Sequence, residues 1–270
     1  MSESLLQKLK NGKIIYGTCI VSTSPVWSKV VTGCNLDFVF LDTEHIPLDR
    51  TELTFLCQTY NALEISSIVR IPGPDPFEAV KAKDAGAIGV IAPYVESVDQ
   101  ILEMVGATKY RPLKGKRLQN VLSGKEKLNV ELQTYLDKFN KDSMCIVNIE
   151  SMTAVHNLDD LLNVHGLDAV IIGPHDLSIS MDLPEQYEHP EYEKVVKEII
   201  HKARKKGIAA GIHFPADPDR QIKWMNEGAN IILHSSDLFL FSQKLKEDIG
   251  KIKNASGERP DMTDESNLAI

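Results

Sequence analysis

Eight short apolar runs recur along the chain, at 14–21 (IIYGTCIV), 37–42 (DFVFLD), 65–70 (ISSIVR), 88–92 (IGVIA), 144–149 (MCIVNI), 168–172 (DAVII), 208–213 (IAAGIH) and 230–234 (NIILH). Each is followed by an amphipathic stretch. The runs are continuously hydrophobic, as strands covered on both faces of a parallel sheet are. Strand then helix, repeated eight times within about 250 residues, predicts an α/β chain folded as a single (β/α)8 barrel over residues 1–250. A doubly wound open sheet is the alternative. Ser24-Pro25 and Pro74-Asp75-Pro76 read as helix starts, and Lys205-Lys206-Gly207 as a helix end. Two stretches break the rhythm: a polar connection at 111–143 and SISMDLPEQYEHP at 178–190. Residues 251–270 have few apolar anchors and read as a flexible polar tail.

Charge narrows the partners. Thirty Lys and Arg face 38 Asp and Glu, a formal net charge of -8, with no long basic stretch, which argues against nucleic acid. No run approaches the roughly 18 apolar residues of a membrane span, and MSESLLQKLKNGK is too polar for a secretory core. The expectation is a soluble, cytoplasmic protein with no membrane partner. Cys19, Cys34, Cys57 and Cys145 lack C-x-x-C spacing and read as reduced structural thiols.

Acidic residues directly follow three of the runs, in FVFLDTEH (38–45), CIVNIES (145–151) and IIGPHDLS (171–178). In a barrel, positions just past the strand ends share one mouth, so Asp42, Glu44, His45, Glu150 and Asp176 can converge. Glu150 and Asp176 are the candidate metal ligands, since a lone carboxylate after a buried strand is costly and a divalent cation offsets it. Two carboxylates plus water and substrate oxygens suit Mg2+ or Mn2+, with Co2+ a third candidate, better than zinc. The structural alternatives are a helix cap for Asp176 and an arginine pair for Glu150.

In DTEH, Asp42 can hold the His45 imidazole in the tautomer that accepts a proton, giving an acid/base pair. Glu44 either approaches metal-bound water or pairs with a neighbour. Arg70 ends the third run and can bind a carboxylate, stabilise an enolate oxygen, or pair with a site acid. Gly173, Pro174, His175 and Asp176 form a loop mouth whose backbone N–H groups can receive a small anion. His175 and His213 are weaker candidates. No Lys stands at a strand end, so a Schiff-base mechanism lacks its nucleophile, and no G-x-G-x-x-G, P-loop or G-x-S-x-G is present.

These motifs together resemble the HpcH/HpaI aldolases, metal-dependent class II pyruvate aldolases related to citrate lyase β subunits, up to about residue 250. FVFLDTEH, SSIVRIP, KDAGAIGVIAPYV, VNIES and IIGPHDLSISM are similar to the family's motifs, in the same order. The resemblance implies that Glu150 and Asp176 ligate the metal, that Arg70 contacts the pyruvyl oxygen and that His45 with Asp42 acts as acid and base. It further implies that Asp84 reaches a neighbouring subunit's site, that the last helix is swapped between subunits and that the protein forms hexamers. The sequence departs from the pattern at Ile88, Leu118, Asn148 and Asp182. The implied reaction is cleavage of a 4-hydroxy-2-oxo acid to pyruvate and an aldehyde. Oxaloacetate decarboxylation at the same site, and a non-catalytic binding barrel, are the alternatives.

Overall fold

The computed structural model describes residues 3–215 and 217–257. Eight parallel strands, β1 (Ile15–Cys19), β2 (Phe38–Asp42), β3 (Ser66–Arg70), β4 (Gly89–Ala92), β5 (Met144–Ile149), β6 (Ala169–Ile172), β7 (Ala209–Phe214) and β8 (Ile231–Ser236), follow one another around a closed barrel. β8 pairs back onto β1, with Ile15 beside Ile231. Each strand falls on one of the eight apolar runs, so the (β/α)8 expectation holds and the open sheet does not.

The two-residue period of a strand sorts the side chains into two cores. Phe38, Phe40, Ile68, Ile91, Ile146, Ile171 and Leu233 pack inside the barrel, while Val39, Leu41, Val69, Val147, Val170 and Ile212 pack against the surrounding helices. Both faces are therefore apolar, which is why the runs are continuous. Burying each large side chain contributes roughly 1.5–3 kcal/mol. Gly17 makes the inner packing feasible: a Cβ there would lie 2.5 Å from the Phe38 ring. Helix Leu5–Lys10, capped by Ser4, sends Leu5, Leu6 and Leu9 into the inner core beside Ile15, Met144 and Ile231. It closes the barrel at the strand starts and leaves the strand ends open.

Helix signals perform as expected at Asp75, whose side chain caps the helix Pro76–Ala85, and at Gly207, which follows Pro190–Lys205 with φ +76°. The connection at 111–143 differs from the expected loop: it carries helices Gly115–Leu122 and Val130–Phe139. Leu118 and Leu122 close over Gly106 of the helix Val98–Lys109, where a Cβ would lie 2.9 Å from Leu122 Cδ1 and 3.3 Å from Leu118 Cδ2. Leu118, a departure from the family pattern, thus has a packing role. Asp182, another departure, stands at φ +57°, the left-handed region glycine enters most easily. The last helix, Asp237–Ser256, extends past the expected tail boundary at 251, and 258–270 lie outside the described residues. All four cysteines are free and three are buried. Among the described residues no helix is long and apolar enough to cross a membrane.

Candidate active site

Register brings the first pair together. Asp42 and Arg70 are partners across β2 and β3, at the open end. Arg70 donates from Nε to Asp42 Oδ1 at 2.9 Å and from Nη2 to Oδ2 at 2.6 Å. Asp42 is 1% exposed, and its Oδ1 also accepts the Glu44 N–H at 3.0 Å. A two-pronged pair of this kind fixes the guanidinium plane. Glu44 Oε2 lies 3.1 Å from Arg70 Nε. Among the described residues no acceptor pairs with Arg70 Nη1, which leaves one end of the fork for a ligand.

The expected Asp42–His45 dyad is therefore not what the structure builds. Both oxygens of Asp42 are taken by Arg70, its register neighbour, while His45 sits three residues beyond the strand on an exposed rim. The acid nearest the imidazole is Glu44, with Oε1 3.7 Å from His45 Nε2. Glu44 Oε2 is buried and accepts no hydrogen bond.

Glu150 follows β5 and is buried. Its Oε1 accepts the Tyr94 N–H at 2.6 Å and its Oε2 accepts the Asn148 amide at 2.9 Å. Burial pushes this carboxyl above the usual range; the two hydrogen bonds pull it down in part, and Asp176 and Glu44 push it up further. Asp176 lies in the first turn of the helix Pro174–Ser180, entered from Gly173. Gly173 explains how the two acids meet: a Cβ there would be 2.8 Å from Glu150 Oε2 and 3.7 Å from Asp176 Oδ2. The bare backbone lets both carboxylates crowd one point. Pro174 at the first helical position sets φ but has no N–H to donate, so His175 and Asp176 supply the donors there.

The donor set fits a hard divalent cation. Oxygen ligands are what Mg2+ and Mn2+ take, and a charge between Glu150 and Asp176 would offset the buried carboxylate. Among the described residues no three His, Cys, Asp or Glu side chains form a metal-holding group, so the pair would share the ion with substrate and water oxygens. Gly173→Ala tests the geometry. Its methyl must displace Glu150, and we expect Mn2+ affinity to fall about 10- to 100-fold, as when the support of a ligand is lost. Calorimetric titration showing unchanged affinity would dissociate Gly173 from the acid pair.

The remaining predicted residues lie elsewhere. His213 is inside the barrel, its ring 5.6 Å from Phe40 and Nε2 3.3 Å from the Ser235 carbonyl, and burial lowers it to about 4, so it is neutral near pH 7. His175 is exposed beside Glu185. Asp84, at the end of helix Pro76–Ala85, is exposed and paired with Arg111, on the barrel face opposite the mouth. Two site residues went unpredicted, Tyr94 and Asn148. Asn148 stands two positions before Glu150 on the same strand face, a spacing that period-two alternation exposes.

The closed barrel brings paired carboxylates, an anchored arginine and a rim histidine to one mouth, and its relatives make the chain a carbon–carbon lyase. Residues 17–243 match the HpcH/HpaI aldolase/citrate lyase family, and the chain belongs to that family. A 2-keto-3-deoxy-L-rhamnonate aldolase of Escherichia coli O157:H7 is 30% identical over 250 residues, covering 92% of each chain. An HpcH/HpaI aldolase from Desulfitobacterium hafniense DCB-2 superposes with a TM-score of 0.82 at 27% identity, covering 96% of this chain and 100% of that one. A protein described as citrate synthase SbnG superposes at 0.81 with 27% identity, covering 95% and 100%. Aldolases of the family depend on a divalent metal and act on small molecules.

Proposed function

We propose that this protein cleaves a 4-hydroxy-2-oxo acid to pyruvate and an aldehyde, or runs the reverse condensation, with Mg2+ or Mn2+, or Co2+ in their place, held by Glu150 and Asp176. The observation that carries the reading is the convergence of those carboxylates over Gly173 in the same mouth as an arginine with a free Nη1. The metal, when bound, supplies Lewis-acid polarisation of the 2-oxo group. Arg70 faces the charge that develops on that oxygen. The N–H groups of His175 and Asp176 receive the substrate carboxylate. His45, oriented by Glu44, takes the C4 hydroxyl proton as the C3–C4 bond breaks.

Self-association completes the proposal, with Asp84 serving a neighbour's site in a hexamer of cytoplasmic protein. The helix Asp237–Ser256 supports exchange of the last helix between subunits, because Leu240, Phe241, Leu245, Ile249 and Ile252 are all exposed along it. An apolar stripe of this length calls for a covering surface. Light scattering that returns a monomer would exclude this part.

The experiment for the chemistry is C3 hydrogen–deuterium exchange of pyruvate in D2O, followed by proton NMR, with chelator-treated and metal-restored protein. Exchange that needs metal is the expected result; its absence with metal bound would remove the aldolase reading. A second reading on the same site is decarboxylation of oxaloacetate, which passes through the same pyruvate enolate. Faster turnover of oxaloacetate than of hydroxy-oxo acids would select it.

A further inference from the structure

We propose that the strand-start end of the barrel carries a binding site for a small organic phosphate, separate from the mouth, with the phosphoryl group held by Lys10, Lys141 and His165 and the carbon body resting on Leu6 and Leu167. The site does not depend on the chemistry assigned to the mouth.

A cavity of about 470 Å³ opens there, within the roughly 300–1,000 Å³ that small-molecule sites occupy. Its wall is drawn from segments that all reach the same end of the barrel: Leu6 and Lys10 from the plugging helix Leu5–Lys10, Asn140 and Lys141 just past the helix Val130–Phe139, and residues 165–168 just ahead of β6. Two features make this a built cavity. Gly166 stands at φ +99°, and a Cβ there would lie 2.7 Å from Val105 Cγ1, so the 165–168 segment is laid tight against the helix Val98–Lys109. Asn140 is buried, and its amide donates to the carbonyls of Arg111 at 2.8 Å and Leu136 at 2.9 Å.

The charges left over decide the ligand. Lys109 is committed to Asp168 at 2.5 Å and to the Ser143 carbonyl, and Asp168 Oδ2 also accepts the Cys145 N–H at 2.8 Å. Asp137, which accepts from Gln133 Nε2 at 2.8 Å, is the other acid of the wall. Against it stand Lys10, Lys141 and His165, all exposed and, among the described residues, without an acid at ion-pair distance. The helices Val98–Lys109 and Val130–Phe139 end here and add partial negative charge, which Lys109, Lys141 and the Asn140 amide offset. The neighbourhood is nonetheless positive: burial, with Arg111 and Lys109 close by, pushes the Lys83 ammonium down to about 8. Lysine serves phosphate as a point charge, and among the described residues no arginine lines the cavity to grip a carboxylate with two prongs. A histidine ring adds an N–H donor. The floor is apolar, with Leu6 and Leu167 each 7% exposed, so a phosphate that carries carbon fits better than the free ion.

The test is calorimetric titration of the full-length protein with phenyl phosphate and with inorganic phosphate, in chelator so that no metal at the mouth binds either. Phenyl phosphate should bind about tenfold more tightly than inorganic phosphate, because its ring covers the apolar floor. Lys10→Ala/Lys141→Ala should weaken phenyl phosphate by about 100-fold, tenfold for each charge-assisted bond lost. Asp137→Asn removes the opposing charge and should tighten binding by about two- to fivefold. Opposite signs in the two variants separate recognition from damage, since a misfolded protein does not gain affinity. Absence of phenyl phosphate binding, equal affinity for the two phosphates, unchanged affinity in the lysine double variant or weaker binding in Asp137→Asn overturns the assignment. So does displacement of phenyl phosphate by pyruvate with Mn2+, which would put the ligand in the mouth.

Discussion

Glu150→Gln is expected to lose metal binding and to lower turnover about 10³-fold or more, while the metal-free variant melts no lower than the metal-free natural protein. The activity figure follows from the Lewis-acid contribution, several kcal/mol at 1.36 kcal/mol per tenfold. The stability statement follows from the site itself. The Glu150 carboxyl is raised above its usual range chiefly by burial. In the pH interval between the ordinary carboxyl value and the raised one, the folded protein binds more protons than the unfolded chain, so stability falls as pH rises through that interval. Glutamine is isosteric, keeps an oxygen for the Tyr94 N–H and carries no charge, so it escapes this cost.

Saturating metal should reverse the order, since a ligand at 100 times its dissociation constant stabilises the natural protein by about 2.7 kcal/mol and gives the variant little. Thermal melts with chelator and with Mn2+ check both signs in one series. An equal Mn2+-dependent rise in the two proteins would mean that the ion binds elsewhere.

The sequence carried the barrel because burial on both faces of each strand leaves unbroken apolar runs, and neither register nor helix geometry is needed to count them. It also placed Glu150, directly after β5, and Asp176, four residues past β6, at the same mouth, since acids so close to such runs are conspicuous. What it did not carry depends on register. Asp42 and Arg70 are 28 residues apart and meet only because β2 and β3 align those two positions; from the sequence alone, His45 was the nearer partner. The use of Gly173 was equally hidden, since a missing Cβ matters only once Glu150 lies against it. Tyr94 was hidden as well, since it meets Glu150 through its backbone N–H, which no side-chain pattern reveals.

Arg70→Ala is expected to lower turnover by about 10²- to 10³-fold, the usual consequence of removing a donor aimed at developing charge. The single variant carries a second effect, because Asp42 is 1% exposed and both of its oxygens rest on Arg70. Removing one partner of a buried pair leaves an uncompensated carboxylate, at about 3–5 kcal/mol of stability. Loss of activity in Arg70→Ala alone therefore mixes chemistry with folding. The double variant Asp42→Ala/Arg70→Ala separates them: with neither charge present, much of the stability should return, and denaturant midpoints read this directly. Activity should not return, because Nη1 is still missing from the mouth. Arg70→Lys sharpens the comparison, since it keeps the charge but cannot hold Asp42 with two prongs while presenting a third nitrogen. Its melting temperature should lie between those of the natural protein and Arg70→Ala, with turnover still reduced. If turnover instead tracks stability through all three variants, and the double variant recovers both, then Arg70 serves the fold through Asp42 and the charge at the 2-oxo oxygen is offset by another group.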